Sequence, residues 1–348
     1  MRVGCHGSVF FGCIVLCVGE HTYILKTYVR RMTVDICIAA KGDTLYSIAK
    51  RCGISPQRLA ADNGISPQAP LITGQALLVR QVRVAHTVRE GETLRGIATQ
   101  YHLSVRALYR MNPHLHGLPR LCTGQTIAVK LSASPKRQLQ VLGITSPCPN
   151  TLSLRAVLPF LTYVAPTPCR CALNGGLPIS DTVFLFDTAM DYGVLPLLYL
   201  DGNESRRFVE TAVYALAQSR AVGVVTTIEN TALSARLLAE DRLCFSAFPT
   251  IVHPAIVTQK GRPDRYLSQT QALRLAIQHN ATIRFDDTAK QPFFQFRDTT
   301  NAVCTVWLQD VRSWHTQLPL HTSGVSIPHP EYNLPLAVFL STVCRIVE

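Results

Sequence analysis

At 348 residues, 47% of them hydrophobic, the chain can bury a substantial core and is too apolar to be disordered; its length suits two or three domains. Its 34 Lys and Arg against 22 Asp and Glu leave a net charge of +12, which steers anionic partners without bearing on the fold. It has no Lys/Arg-dense run interleaved with aromatics and no zinc-finger spacing, so no nucleic-acid partner is expected and wall polymer fits better.

Residues 9–18 form an apolar stretch after Arg2 that suits the core of a secretory signal and is too short to span a bilayer. Cleavage near Gly19 would then release an exported protein. The alternative is that translation begins at Met32, because residues 20–31 show no readable pattern and an ordered one starts directly afterwards. Both alternatives set residues 1–34 apart as an N-terminal extension, and no membrane span is expected. The 12 cysteines are scattered singly, several in apolar runs such as Leu243-Cys244-Phe245, as suits buried free thiols. Cys169 and Cys171 lack a second pair at metal-ligand spacing, so neither a metal nor any other cofactor is expected.

From residue 35 the chain repeats itself. Gly42-Asp43-Thr44-Leu45-Tyr46-Ser47-Ile48-Ala49 returns as Gly91-Glu92-Thr93-Leu94-Arg95-Gly96-Ile97-Ala98, an offset of 49; Asn63 returns at Asn112, and Gly74-Gln75 at Gly124-Gln125. In each copy Thr44 or Thr93 is placed to cap a helix whose apolar positions are Leu45, Ile48, Ala49 and Cys52, or Leu94, Ile97, Ala98 and Tyr101. A second helix starts at Ser55-Pro56, cap followed by first-turn proline, and its Leu59 corresponds to Leu108. Strands at 36–39 and 76–79, and at 86–88 and 126–129, complete two βααβ units, each with a two-stranded antiparallel sheet, over residues 35–80 and 84–131. Asn63 and Asn112 suit helix C-caps, because Asn tolerates the left-handed conformation.

This pattern closely resembles the LysM family. The resemblance implies binding of an N-acetylglucosamine glycan, peptidoglycan or chitin, in a shallow groove of each module. One groove would be formed by Gly42, Asp43, Thr44 and Leu45 with Asn63, Gly64 and Ile65, the other by Gly91, Glu92, Thr93 and Leu94 with Asn112, Pro113 and Leu115. Two weak sites on one polymer raise the apparent affinity through effective concentration. As separate modules, either could be removed with a greater loss of binding than of fold.

A polar, basic linker, residues 132–138, precedes a region in which strand-like runs at 139–144, 157–164, 194–200, 221–228 and 243–248 alternate with helical segments, a pattern for a parallel sheet covered by helices. One helix buries Phe208, Ala212, Ala215 and Leu216, and Ser268 with Gln271 makes a capping box ahead of another. A hairpin follows, with arms at 292–297 and 303–308 and a turn at 298–301.

Within residues 139–348, Leu158-Pro159-Phe160-Leu161-Thr162-Tyr163-Val164, Tyr192-Gly193-Val194-Leu195-Pro196-Leu197 and Trp307-Leu308-Gln309-Asp310-Val311-Arg312-Ser313 resemble family 18 glycoside hydrolases that accompany LysM modules in spore-cortex-lytic N-acetylglucosaminidases. The resemblance implies a TIM-barrel-like domain with D-x-x-D-x-D-x-E at the end of its fourth strand. Of that motif only the terminal Glu is matched, by Glu229, the candidate general acid of a retaining mechanism in which the substrate's own acetamido group is the nucleophile. Thr227 stands where an Asp would orient that group and offset its developing charge, a loss worth orders of magnitude in rate. The region has about 210 residues where a barrel takes about 250, and the strand bearing the family's M-x-Y-D motif is missing between residues 257 and 268. The fold expected is therefore multidomain α/β, two LysM modules plus an incomplete barrel. The function expected is wall-glycan binding at a bacterial envelope or spore with a degenerate hydrolase domain; an active N-acetylglucosaminidase and a structural envelope or spore protein are the alternatives.

Overall fold

A computed structural model of the chain describes residues 13–17, 23–29, 32–116, 120–133, 135, 137–167, 169–170, 182–201, 205–227, 229, 231–318 and 322–348, with backbone alone up to residue 34 and at 169–170. Gly19, Cys171, Ile228 and the linker positions Ser134 and Lys136 lie outside the described residues.

Strands β1 (Cys13–Cys17), β2 (Tyr23–Val29) and β3 (Met32–Ile38) run antiparallel in succession, and β4 (Ala76–Val79) pairs with the far side of β3. The expected pair of the first module, β3 with β4, is present, and β1 and β2 of the N-terminal extension widen it to four strands, with residues 23–29 forming a strand where no pattern was legible. Their alternation is poor, but Tyr23-Ile24-Leu25-Lys26-Thr27-Tyr28-Val29 is rich in strand-favouring residues, and the open edge of β3 is a template for pairing. Helices α1 (Leu45–Cys52) and α2 (Pro56–Asp62) lie between β3 and β4. Thr44 and Ser47 cap reciprocally: each main-chain N–H donates to the other's hydroxyl at 3.0 Å. Leu45, Ile48, Ala49 and Cys52 are buried, as the helical period requires.

The second module, β5 (Val82–Thr87), α3 (Leu94–Gln100), α4 (Val105–Met111) and β6 (Thr126–Leu131), keeps the expected two-stranded sheet. Thr93 accepts from the Gly96 N–H at 3.1 Å, and Ile97, Ala98 and Leu108 are buried.

Parallel strands follow: β7 (Gln138–Thr145), β8 (Tyr163–Pro166), the short β9 (Cys169–Arg170), β10 (Leu195–Asp201), β11 (Gly223–Thr226) and β12 (Leu243–Ser246), with helices α5 (Thr151–Val157), α6 (Val183–Asp191), α7 (Arg206–Gln218) and α8 (Thr231–Leu238) between them. The strand expected over 157–164 is a correction. The Asn150 side chain accepts from the Leu152 and Ser153 N–H groups and starts α5, Leu158–Phe160 is a 3-10 turn, and the strand begins only at Tyr163. A continuous apolar run cannot by itself distinguish a buried helix end from a buried strand.

Next comes a five-stranded antiparallel sheet of β13 (Ala255–Gln259), β14 (Arg265–Leu267), β15 (Arg284–Asp286), β16 (Gln291–Arg297) and β17 (Val303–Trp307), with α9 (Gln269–Gln278) after β14 and the expected hairpin as β16 and β17. Residues 257–268 thus belong to this sheet, and the strand sought there has no counterpart in that stretch. The chain ends with α10 (Val311–Gln317), β18 (Gly324–Pro328), α11 (Leu334–Val343) and β19 (Arg345–Ile346).

The parallel sheet has the order β12-β11-β10-β8-β7-β18, six main strands where a full barrel has eight. Its edges meet directly after β12: Thr250 forms a parallel bridge with Ser326, whose N–H donates to the Pro249 carbonyl at 3.0 Å. The result is an incomplete barrel whose open side is drawn together, which covers strand edges that would otherwise be exposed.

The first module is not a separate bead. Ile36, Ala76 and Leu78 lie in one buried cluster with Leu139, Leu336 and Phe339, and Ile72 sits in the core of the antiparallel sheet. Removing this module would open two cores, which corrects the expectation that either copy could be deleted with little change of fold.

Candidate functional site

Each nominated glycan loop begins at a glycine with positive φ, +86° at Gly42 and +77° at Gly91, conformations that other residues adopt only with strain. The carboxylates that follow are held differently. Asp43 accepts from Arg51 through both oxygens at 3.2 Å, from the Ala40 N–H and from the Ser47 hydroxyl. Burial works against its charge, but these donors outweigh it and hold its pKa below the usual carboxylate range. Glu92 accepts from the Arg89 N–H at 2.7 Å and bonds His86 at 2.7 Å, and these two contacts, the main-chain donor first, lower its pKa. Thr44 and Thr93 are exposed beside them, so each hydroxyl caps its helix at the surface.

The opposite walls are occupied by structure. The Asn63 side chain donates to the Leu59 and Leu78 carbonyls and accepts from the Leu78 N–H; Asn112 repeats the arrangement with Leu108 and Ala128, all at 2.7 to 2.9 Å. Both do cap their helices, but at φ of −108° and −134°, not in the left-handed region; their side chains clamp the second helix to the last strand. Gly64 is exposed and backs onto Pro335 of the C-terminal domain, Ile65 is half-buried, and Leu45, Asn112, Pro113 and Leu115 are buried. Buried residues can offer a sugar little beyond main-chain groups. The turn at Pro113–Leu115 packs against α2, so the second wall of the second module faces the first module.

At the incomplete barrel, the C-terminal ends of the strands are where barrel enzymes carry their chemistry. Glu229 lies three residues past the end of β11, the fourth long parallel strand in chain order, and is exposed. Thr227 donates its hydroxyl to Asp201 Oδ1 at 2.9 Å. Asp201, the last residue of β10, was missed in the sequence, although its position at a strand end was the signal available. Below it the inner face of the sheet is filled by Leu142, Tyr163, Leu197, Tyr199 and Val225, with Phe245 and Phe248 packed against them. Burial raises the pKa of Tyr163 and, with the Asp201 charge adding, of Tyr199. Among the described residues no group of three or more His, Cys, Asp or Glu side chains could hold a metal, and no helix is long and apolar enough to cross a membrane.

Comparison with known proteins finds the LysM domain at residues 38–80 and 86–130. A cortical fragment-lytic enzyme of Bacillus subtilis (strain 168) is 45% identical over 56 residues, 16% of this chain and 13% of that protein. An endolysin of Bacillus phage B103 is 34% identical over 98 residues, 27% of this chain and 37% of that protein. The chain thus matches well under two thirds of the length of these relatives. In three dimensions it is similar to the spore cortex-lytic enzyme SleL of Bacillus megaterium QM B1551, with a TM-score of 0.63 and 17% identity over 90% of this chain and 98% of that one. SleL of Bacillus cereus gives 0.57 and 18% over the same shares. At such identities the likeness concerns the fold.

Proposed function

We propose, for a chain that carries two LysM domains ahead of a family 18 hydrolase-like domain resembling the spore cortex-lytic enzyme SleL, that it binds peptidoglycan or a similar N-acetylglucosamine polymer at a bacterial spore or envelope and does not hydrolyse it. The observation that carries the second part is the early closure of the parallel sheet. Pro249 and Thr250 are hydrogen-bonded or bridged to Ser326, and among the described residues Phe245 and Phe248 pack on the inner face where a sugar-orienting cleft would need space. Orientation of the reacting groups is worth roughly 7 to 11 kcal/mol of barrier at its extreme. An exposed Glu229 can at most assist departure of the leaving group, and Thr227 supplies no charge to the acetamido nucleophile.

One contact favours the alternative of an active N-acetylglucosaminidase: Asp201, bonded to Thr227, sets a carboxylate on the neighbouring strand end. One experiment separates the two readings. Wild type and Glu229→Gln are incubated with purified peptidoglycan and cortex fragments, and pelleted protein and released reducing sugar are measured together. Equal pelleting of both without sugar release is expected. Turnover by wild type that disappears in Glu229→Gln would install the hydrolase, and failure to pellet would remove glycan binding.

A further inference from the structure

The wall formed by Asn63, Gly64 and Ile65 opens onto a cavity of about 150 Å³ whose other sides come from the C-terminal domain, through Gln269, Thr270, Trp314, Tyr332 and Pro335. Sites that enclose drug-sized ligands begin near ~300 Å³, so this one has room for a single sugar ring with the rest of a chain outside. Its lining carries one charged residue, Asp310, and that carboxylate is neutralised by Arg312 at 2.5 Å. A neutral ligand is therefore favoured over a phosphate or another anion.

The polar groups of the cavity divide into two sets. Asn63, Gln269 and Gln309 are committed to the fold: Gln309 accepts from the His253 N–H at 2.8 Å and donates to the Ile251 carbonyl, and Gln269 accepts from the Gln309 N–H at 3.1 Å. The Gln75 amide nitrogen, the Thr270 hydroxyl and the Tyr332 hydroxyl make no hydrogen bond within the described residues, and the Tyr332 ring is 72% exposed. Spare amide and hydroxyl groups beside an open aromatic face and an apolar floor suit a neutral, polyhydroxylated ligand with an apolar ring face.

We propose that this cavity is a sugar subsite shared between the first LysM domain and the C-terminal domain, which takes one N-acetylhexosamine unit of a glycan whose chain continues along the Asn63–Gly64–Ile65 wall. It rests on the glycan-binding function proposed above and gives the C-terminal domain a share in recognition. The sugar ring stacks on Tyr332, Thr270 and Gln75 bond its hydroxyl or acetamido groups, and Trp314 lies beneath.

The test uses the full chain with Trp307→Phe, which leaves Trp314 as the only tryptophan. Triacetylchitotriose is titrated against Trp314 fluorescence and by calorimetry, with maltotriose as the probe lacking acetamido groups. A saturable shift with the first and none with the second is expected. Tyr332→Ala and Thr270→Phe, both at exposed positions, are expected to weaken binding at least fivefold while thermal unfolding is unchanged. Calorimetric binding by wild type that is unaltered in both variants, with Trp314 silent, would remove the shared subsite and leave LysM binding standing. No binding by wild type to the oligosaccharide or to peptidoglycan would remove both. An equal response to maltotriose would overturn the assignment of the acetamido sugar.

Discussion

The two LysM copies have the same internal construction and different surroundings. In each, the Gly-Gln corner returns the chain to the first strand: the Gly74 N–H donates to Ala39 and the Ala39 N–H to Gln75, just as the Gly124 N–H donates to Val88 and the Val88 N–H to Gln125. In each, the glutamine side chain accepts a main-chain N–H three residues back at 3.1 Å, from Ile72 or from Cys122. Around Gly74, however, the Ile283 N–H donates to the Thr73 carbonyl and Arg312 donates to the Gly74 carbonyl, whereas a Cβ at Gly124 would meet nothing within 4 Å. The second copy touches the C-terminal domain through one helix, with Arg106 donating to the Pro159 and Gly193 carbonyls and Arg110 paired with Glu348. Duplication preserved what a module needs for itself, and the partner surface decided what each copy became.

That contrast is most sharply broken at the two glycines. A Cβ at Gly74 would lie 1.8 Å from the Ile283 carbonyl oxygen, a main-chain atom that cannot move aside, so Gly74→Ala is expected to cost more than about 5 kcal/mol or to prevent folding. Gly124→Ala, at the same positive φ without the clash, should cost about 1 to 2 kcal/mol, and urea unfolding of both variants gives the comparison. Equal costs would mean that the first module is not docked as described.

The next effect concerns the contact between the copies. Asp62 and Arg80, both buried, pair at 2.6 Å, and Arg80 reaches across to the Arg110 carbonyl at 3.0 Å. Arg58 is beside them, and burial pulls its pKa down to about 10 despite the Asp62 charge. Asp62→Asn leaves two buried guanidinium groups without their anion and is expected to cost about 3 to 5 kcal/mol. Thermal unfolding that stays within a degree or two of wild type would show that this cluster is solvated and not a joint.

A pH effect should mark the second copy alone. The His116 ring stacks on Tyr109 at 4.7 Å with neither nitrogen hydrogen-bonded among the described residues, and burial lowers its pKa from 6.5 to about 4, with His114 adding. Between those values the unfolded chain binds a proton that the folded chain does not. Stability is therefore full above pH 6.5 and falls as pH drops toward 4, by at most about 3 kcal/mol. The corresponding residue of the first copy is Pro67, and His116→Phe should reduce the dependence of melting temperature on pH over that window, the remainder coming from His114 and His315, whose pKa values burial also lowers.

The smallest contrast is between the clamping asparagines. Asn112→Ala strands buried partners and should cost about 3 kcal/mol, while Asn63→Ala, half-exposed and open to water, should cost about 1. Chemical denaturation of the two variants measures the difference, and a reversed order would mean that the Asn63 clamp is the drier of the two.

Much of this was present in the sequence because it is local. Helix caps at Thr44, Thr93 and Ser268, the buried stripes of Leu45 and Phe208, and the hairpin at β16 and β17 follow from spacing and turn chemistry over a few residues. The turns at Gly42 and Gly91, and the place of Glu229 just past a strand end, were legible for the same reason. Tertiary structure alone decided what depends on distant partners. The N-terminal strands order against the edge of β3, Asp201 meets Thr227 from the neighbouring strand, and Thr250 closes the sheet onto Ser326 across 76 residues of sequence. No periodicity records which surface a module will face, so the wall formed by Asn63, Gly64 and Ile65 read as an open groove until Pro335 and Tyr332 were found beside it.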